Sequence, residues 1–326
     1  MKVYNLVNSV KGGCGKTTFS IWLAYYLSKK NHREQVGKSG ILDMDLLGTS
    51  MLAVFWGSST EQVIKRELRD KKFINNIFHN NQYTSSYSNT ILLQNGINLN
   101  VVFASIDSKD KKKFKVGGHS NYSPVIKYST FRMGLKMLLT KNEEIRELET
   151  IIMDMPPNSD GFSEAAMECI FDKHYQITEE EDKRNLFFMV GPDYGHTVAT
   201  INDLEEIINK KDEKFPDKII IVFNDNLCST VSEDVMRRRM GEFKLCINEM
   251  GLTEEEKDRI IFMIMNRNEK YARSSFEGNG LCNLSANEIE ENFPECPVNK
   301  YATYGNDIFT PISDDEFLIL LYGKER

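Results

Sequence analysis

The sequence lacks the features that mark secreted and membrane-embedded proteins. Its six cysteines are scattered, with neither a C-x-x-C pair nor a Cys/His cluster at zinc spacing, so it indicates no disulfide framework and no structural zinc site. No apolar run approaches the roughly 20 residues that a membrane-spanning helix needs. The opening stretch Met1–Gly13 becomes glycine-rich too early for a secretory signal. We therefore expect a cytoplasmic protein with reduced thiols and no integral membrane segment.

The chain also lacks a net positive charge. Its 326 residues include 41 Lys and Arg against 48 Asp and Glu, a formal net charge of −7. Proteins that coat nucleic acid through their overall charge are strongly basic. Any contact of this chain with a polyanion therefore has to use a local basic patch.

Apolar runs alternate with helical patterns along the chain. Most of the runs show no polar–apolar alternation, which is typical of strands buried on both faces of a parallel sheet. The predicted strands are Val3–Val7, Gly40–Asp45, Ile97–Ala104, Thr150–Met155, Leu186–Val190, Lys218–Asn224 and Arg259–Met265. Helical spacing predicts an amphipathic helix after Lys16 and further helices at Phe131–Arg146, Ser163–Phe171, His196–Lys210 and Ser232–Met250. This order predicts one doubly wound α/β domain over 1–326, with a mostly parallel sheet and helices on both faces.

Three segments depart from the alternation. The stretches 58–96 and 105–129 are polar, and we expect helix-and-loop excursions there at one edge of the sheet. The segment 266–326 is expected to consist mainly of loops, with a short helix at Ser285–Glu291 and a packed strand or helix at its end.

The stretch Ser9–Ser20, SVKGGCGKTTFS, lies between the first predicted strand and the first predicted helix. It departs from the phosphate-loop pattern G-x-x-x-x-G-K-[ST] at Val10, where the pattern has glycine. In such loops backbone N–H groups and a helix N-terminus surround phosphate oxygens, the lysine reaches the β- and γ-phosphates, and the next hydroxyl binds Mg²⁺. The stretch predicts a nucleotide site made of Gly12, Gly13, Cys14, Gly15, Lys16, Thr17 and Thr18.

Carboxylates follow two other predicted strands. Asp43 and Asp45 stand in ILDMD, and Asp154 stands in IIMDMPP. Ligands of open α/β sheets bind at the carboxyl ends of the strands. Carboxylate and hydroxyl oxygens are ligands that suit Mg²⁺. These strand-end carboxylates and the hydroxyl of Thr17 therefore suit a magnesium site.

The run Lys11–Thr18, KGGCGKTT, resembles the deviant phosphate loop K-G-G-x-G-K-[ST] of the ParA/MinD superfamily of ATPases, in which the position of Val10 varies. The aspartate motifs resemble the D-x-D-x-x-G-[NS] and D-x-P-P motifs of the same superfamily. The resemblance covers Met1 to about Met265 and is strongest to the ParA-type partition ATPases. It implies a P-loop NTPase fold of the SIMIBI class and a Mg²⁺-dependent ATPase with weak intrinsic turnover, working as a homodimer that sandwiches ATP.

The resemblance also assigns roles to the charged residues of the site. Lys11 would be the signature lysine that reaches the phosphates bound by the other subunit. Asp45 would act on the attacking water, with Asp43 nearer the metal, and Asp154 would hold Mg²⁺ through a water. Together with Lys16, Lys11 and Asp45 are the residues we expect to carry catalysis.

Two observations bear on the nucleotide base. A guanine site of the usual type needs N-K-x-D, and the similar Asn299–Ala302, NKYA, lacks the aspartate and is interpreted as a loop. Asn224 matches the position from which relatives bind adenine, so the resemblance favours ATP. The Ile-Pro that follows the last strand in relatives is replaced here by Met265-Asn266, which leaves the adenine loop open.

The ParA-type reading implies ATP-dependent, non-specific DNA binding, a ParB-like stimulating partner and association with the nucleoid. Three consecutive arginines cannot all face one side of a helix, so at most two of Arg237–Arg239 could bind phosphates together. The candidate DNA contacts are Arg237, Arg238, Arg239, Arg267 and Arg273, with Lys111, Lys112, Lys113 and Lys115 as a second basic run.

Other functions stay open at this point. A MinD-like positioning ATPase would need a basic amphipathic tail, and the apolar run in Pro311–Arg326 is short and preceded by acidic residues. A biosynthetic ligase such as dethiobiotin synthetase shares the fold and would not need Lys11 in trans. A nucleotide-dependent scaffold could use the polar excursions as docking surfaces.

Overall fold

The computed structural model describes residues 1–32, 36–45, 50–57, 74, 87–104, 124–156, 161–172, 177–210, 215–224, 232–266, 270, 279–293 and 296–323. The strands of this part of the chain are β1 Val3–Asn8, β2 Ser39–Asp43, β3 Asn89–Leu92, β4 Asn98–Val102, β5 Thr150–Asp154, β6 Lys183–Val190, β7 Lys218–Phe223, β8 Ile260–Met265, β9 Val298–Thr303 and β10 Thr310–Pro311. They form one sheet in the order β10-β9-β8-β7-β6-β1-β5-β2-β4-β3.

The sheet is mostly parallel, as the sequence predicted. Seven neighbouring strands run parallel to one another, in the order β8, β7, β6, β1, β5, β2 and β4. Strand β3 pairs antiparallel with β4 at one edge. At the other edge β9 pairs antiparallel with β8, and β10 pairs antiparallel with β9. Every residue of β1, β2, β5 and β8 is buried, which explains their continuous apolar runs.

Helices cover both faces of the sheet. They are α1 Lys16–His32, α2 Ser50–Trp56, α3 Pro124–Lys141, α4 Glu143–Arg146, α5 Gly161–Phe171, α6 Tyr194–Asn209, α7 Glu233–Glu249, α8 Glu254–Lys257, α9 Ala286–Asn292 and α10 Asp314–Tyr322. The buried residues of α3, α5, α6 and α7 share one hydrophobic cluster with one face of the sheet. Those of α1, α2, α9 and α10 share a second cluster with the opposite face. This arrangement confirms the predicted α/β class, and none of the helices described is both long and apolar enough to cross a bilayer.

The segment 266–326 is more regular than the sequence suggested. Asn299–Ala302, interpreted as a loop, lies within β9, so that interpretation is wrong. Only Val298 and Ala302 of this strand are buried, because it lies near the sheet's edge and one side of it is exposed. It therefore lacks the continuous apolar run by which the inner strands are recognised. The predicted short helix is confirmed as α9.

The C-terminal helices change the environment of α1. The ring of Phe293 lies 5.8 Å from that of Trp22 and 5.4 Å from that of Tyr25, and the ring of Phe317 lies 5.8 Å from that of Tyr26. Every residue of Phe19–Ser28 is buried as a result. The helix is thus buried all round, whereas its sequence spacing predicted a single apolar face.

The polar excursions are described only in part. Strand β3 falls within the predicted excursion 58–96 and forms a regular hairpin edge with β4. Helix α3 begins at Pro124, inside the predicted excursion 105–129. Residues 58–73, 75–86 and 105–123 of the excursions, which include the lysine run 111–115, lie outside the described residues.

Candidate functional site

The loop between β1 and α1 turns through two glycines in the left-handed region. Gly13 has φ 80° and Gly15 has φ 85°, conformations that glycine adopts without strain. At Gly15 space is also limiting, because a Cβ atom there would lie 2.3 Å from Nδ2 of Asn224. Asn224 donates a hydrogen bond of 2.9 Å from Nδ2 to the carbonyl oxygen of Cys14. Asn224, the residue predicted to bind adenine, therefore supports the loop backbone. Residues 225–231, which follow it, lie outside the described part of the chain.

Lys16 lies folded against the loop. Its side chain is buried, and Nζ donates a hydrogen bond of 2.9 Å to Oγ of Ser9. The hydroxyl of Ser9 in turn donates to the carbonyl oxygen of Lys11 at 2.7 Å. Burial lowers the pKa of Lys16, and the nearby charge of Asp154 opposes that shift. The ammonium group is thus held in a poorly hydrated position, where a polyanion would be attracted strongly.

Thr17 and Asp154, both expected as Mg²⁺ ligands, contact each other. The Thr17 hydroxyl donates a hydrogen bond of 2.7 Å to Oδ2 of Asp154. Ser20, one helical turn later, donates to Oδ1 of the same carboxylate at 3.1 Å. Burial raises the pKa of Asp154 to about 6, although the hydrogen bond from Thr17 acts in the opposite direction.

Ser9 and Ser20 were missed by the sequence reasoning. Ser9 stands at the junction of strand and loop, and Ser20 stands three residues after Thr17 on α1, where side chains share a face. The spacing of three residues between Thr17 and Ser20 could have indicated that both side chains face the site. For Ser9 the only indication in the sequence was its position immediately before the loop.

Asp43 and Asp154 are register partners on the adjacent strands β2 and β5. Asp43 accepts hydrogen bonds from the backbone N–H groups of Asp45, at 3.2 Å, and Ala104, at 3.3 Å. Burial, followed by the charge of Asp154, raises the pKa of Asp43 well above its usual value. Two buried carboxylates side by side repel each other, and a cation between or beside them would relieve that repulsion.

The donor atoms at these strand ends fit Mg²⁺. Carboxylate oxygens from Asp43 and Asp154 and the hydroxyl of Thr17 are the hard oxygen ligands that this ion prefers. Within the ranges that the structure describes, no group of three or more His, Cys, Asp or Glu side chains could hold a metal alone. An ion bound by Thr17, Asp43 and Asp154 would take its other ligands from water and from the phosphates of a nucleotide.

Lys11 differs from Lys16 in its surroundings. Its side chain is exposed, and its Nζ lies beside the first turn of α6, 2.8 Å from where a Cβ atom on Gly195 would be. Asp193 caps that helix by accepting a hydrogen bond of 2.7 Å from the N–H of Gly195. The ammonium group of Lys11 is therefore on the surface, next to the site.

The other loop residues divide between core and surface. The Cys14 side chain is 1 % exposed and belongs to the hydrophobic cluster on the α1 face of the sheet. Gly12 is exposed, and a Cβ atom there would meet nothing within 4 Å. Thr18 is half-buried in the first turn of α1. Cys14 can therefore contribute its backbone to a phosphate site, while its thiol packs in the core.

The arginines of α7 point in different directions. Arg237 and Arg238 are exposed, and Arg237 pairs with Glu233 at 2.7 Å. Arg239 is 8 % exposed and donates hydrogen bonds to the carbonyl oxygens of Gly191, at 3.0 Å, and Pro192. Its prediction as a DNA contact is wrong, because its guanidinium group is buried and fastens the loop between β6 and α6. Arg267 and Arg273 lie outside the described residues.

The N-terminal part of the chain is similar to one known protein family. A family model described as ParA, NUBPL iron-transfer P-loop NTPase, matches residues 1–94. A search of curated proteins gives no significant match.

Several solved structures share the fold. Apo McdA matches with a TM-score of 0.55 and 14% identity, covering 90% of this chain and 97% of that one. A Cyanothece McdA variant in complex with ATP matches with a TM-score of 0.54 and 14% identity, covering 90% and 94%. The pNOB8 ParA bound to nonspecific DNA matches with a TM-score of 0.52 and 14% identity, covering 90% and 96%. In its phosphate loop, its N-terminal family match and its fold, the chain resembles the P-loop ATPases of the ParA/MinD superfamily.

Proposed function

We propose that this chain is an ATP-dependent switch of the ParA type, which binds and hydrolyses ATP as a homodimer and acts in plasmid or chromosome partitioning. The observation that carries the proposal is the meeting of Lys16, Thr17 and Asp154 around the phosphate loop at the carboxyl ends of β1 and β5. A glycine-rich loop, a buried lysine and a hydroxyl bonded to a strand-end carboxylate are the parts that P-loop NTPases use for phosphoryl transfer.

The residues of the site would divide the work as follows. Backbone N–H groups of Gly12–Lys16 surround the phosphates, and Lys16 exchanges Ser9 for the β- and γ-phosphate oxygens. Thr17, Asp43 and Asp154 hold Mg²⁺, with Asp154 acting through a water. Held by these residues, Mg²⁺ would supply positive charge that offsets the negative charge of the phosphates. Asn224 keeps its place in the proposal as an adenine contact, next to the loop that it supports.

Two further roles concern hydrolysis and dimerisation. Asp45 follows directly on the Asp43 strand end and would orient the attacking water. Lys11 would reach the phosphates bound by the partner subunit. Its exposed position beside α6 supports this role, because an ammonium group on the surface is available to a second molecule.

For DNA we propose contacts from Arg237 and Arg238, with Arg267 and Arg273 as further candidates. Arg237 and Arg238 are both exposed on one helix, which supports a local basic patch. A local patch is needed because the chain as a whole has a net charge of −7. The relative pNOB8 ParA has been solved with nonspecific DNA, which favours the same ligand here. Phosphate contacts of this kind weaken as salt rises. A ParB-like partner would stimulate turnover, and the protein would reside in the cytoplasm with the nucleoid.

The test is co-sedimentation of the Asp45→Ala variant, which should bind ATP but hydrolyse it slowly. The variant is mixed with plasmid DNA, or with anionic liposomes, in ATP or ADP and at low and moderate salt. Retention on DNA only with ATP, and its loss as salt rises, would support the proposal. The matched control is Asp315→Ala, an exposed aspartate on α10, which should hydrolyse ATP like the unmodified protein.

Other outcomes identify the rival functions. Retention on liposomes instead of DNA would favour a MinD-like positioning ATPase. Retention on neither in any nucleotide would contradict partitioning and favour a ligase or a scaffold. Full turnover by Asp45→Ala would remove Asp45 from its proposed role.

A further inference from the structure

A cleft of about 140 Å³ opens between α5 and α6, on the sheet face opposite α1. Its apolar wall is formed by Met167 and Phe171 of α5 and Ile207 of α6. Such a volume is enough for a short aliphatic chain, and none of these residues belongs to the phosphate site described above.

The rim of the cleft is acidic. Glu164 of α5 and Asp203 and Glu206 of α6 line it, together with Lys210. Glu206 is paired with Lys210 at 2.9 Å. Among the residues that the structure describes, neither Glu164 nor Asp203 has an ion pair. The rim therefore carries three carboxylates against one ammonium group, that of Lys210, which is paired with Glu206 and also lies within electrostatic reach of Glu164.

We infer that this cleft binds an alkyl cation, that is, an ammonium or guanidinium group on a short aliphatic stem. The stem would contact Met167, Phe171 and Ile207, which removes apolar surface from water. The cation would lie between Glu164 and Asp203, where charge-assisted hydrogen bonds are stronger than neutral ones. Both parts of the ligand are needed, because an anion would be repelled and a purely apolar group would leave the carboxylates unpaired.

The position of the cleft links it to the phosphate site. Asn8, which also lines the cleft, is the last residue of β1, and its Oδ1 accepts a hydrogen bond of 2.9 Å from the N–H of Ser9. Ser9 is the residue that holds Lys16. Ser163, also in the lining, lies in the first turn of α5, on the segment that follows Asp154. The cleft and the phosphate loop therefore share the carboxyl end of β1.

The ligand could be a free amine or the side chain of a lysine or arginine from another protein. The two sources share their chemistry, and the experiment distinguishes them. Agmatine is titrated into the nucleotide-free protein by calorimetry, with 1-pentanol as the uncharged comparison. A capped peptide with one central arginine between glycines is then tested in competition with agmatine.

We expect saturable binding of agmatine, no binding of 1-pentanol, and weaker binding as salt rises. The double variant Glu164→Gln, Asp203→Asn should bind agmatine at least about tenfold more weakly, because it keeps the shape of the cleft and loses its charge. The matched control is Glu205→Gln, an exposed position of α6 outside the lining, which should bind agmatine as the unmodified protein does. Competition by the peptide identifies a protein side chain as the ligand, and its failure identifies a free amine.

Absence of saturable binding by both agmatine and the peptide would overturn the inference, as would unchanged binding in the double variant. Thermal unfolding of the double variant shows whether it is folded. Agmatine binding is measured without nucleotide, so a failure here leaves the phosphate site untouched. A protein that bound no ATP would still be expected to bind agmatine.

Discussion

The hydroxyl of Thr17 donates a hydrogen bond of 2.7 Å to Oδ2 of Asp154, which joins the first turn of α1 to the carboxyl end of β5. Ser20 holds the other oxygen of the same carboxylate. These bonds form within a single chain. They hold Thr17 and Asp154, two of the groups proposed to bind Mg²⁺, close together.

Replacement of Lys16 should abolish nucleotide binding. Lys16→Ala removes the one buried ammonium group of the loop, and loss of such a partner to a phosphate costs about 2–5 kcal/mol of binding free energy. Calorimetric titration with MgATP measures the change. Since burial disfavours the charged form of Lys16, thermal stability without nucleotide should not fall. The control is Lys141→Ala, an exposed lysine at the end of α3, and equal ATP affinity in both variants would contradict the site.

Gly15 should tolerate no side chain, whereas Gly12 should. An alanine at Gly15 would sit at positive φ, which costs about 1–2 kcal/mol, and would break the bond from Asn224 to the loop. Gly12→Ala meets nothing within 4 Å and has no positive φ. We expect a lower melting temperature for Gly15→Ala alone, measured by calorimetry without nucleotide. Similar melting temperatures for the two variants would show that the loop is not constrained as described.

Neighbouring arginines of α7 should have separable roles. Arg239→Ala leaves the carbonyl groups of Gly191 and Pro192 without their donor and should lower the free energy of unfolding by about 1–3 kcal/mol. Arg238→Ala should leave stability unchanged and weaken ATP-dependent retention on DNA. Denaturant unfolding and DNA co-sedimentation on both variants measure the two effects. A stable Arg239→Ala, or undiminished DNA retention by Arg238→Ala, would contradict the respective assignment.

The stability of the folded protein should depend on pH through Asp203, which lines the cleft. Burial, followed by the charge of Glu206 on the same helix, raises the pKa of Asp203. Glu164 from α5 adds a further negative charge to the rim, and Lys210, paired with Glu206, provides a positive one. When the pKa of a carboxyl group is higher in the folded than in the unfolded protein, the group lowers the free energy of unfolding at pH values above both pKa values. Below the pKa of the unfolded protein the group is protonated in both states and has no such effect.

Asp203→Asn should therefore raise the melting temperature at neutral pH, and the gain should shrink as the pH falls toward the ordinary aspartate pKa of about 3.9. Thermal unfolding of both proteins across this range measures the difference. The exposed Glu205→Gln serves as control and should show no such trend. A gain that grows on acidification would have the wrong sign and would contradict the raised pKa.

The sequence predicted the inner sheet and the phosphate loop because their determinants are local. Strands such as β5 and β8 are buried on both faces and read as unbroken apolar runs, and the loop is a contiguous motif. Strands β3, β9 and β10 lie toward the edges, where exposure breaks the apolar run, so they were missed.

Contacts between distant parts of the chain could not be read from the sequence. The burial of Arg239 depends on carbonyl groups of Gly191 and Pro192, which the fold brings to it from another loop. The burial of α1 on all sides depends in the same way on Phe293 and Phe317 from the C-terminal segment. A basic triplet and an aromatic helix look alike in sequence whether or not such partners cover them.

The central claim is an ATP-dependent dimer in which Lys11 acts across the interface. The most direct test is sedimentation velocity of Asp45→Ala with MgATP and with MgADP, alone and combined with Lys11→Ala. We predict a dimer with ATP, a monomer with ADP, and a monomer in both nucleotides when Lys11 is also replaced. A monomer with ATP in the Asp45→Ala protein, or an ATP-dependent dimer that persists without Lys11, would contradict the claim.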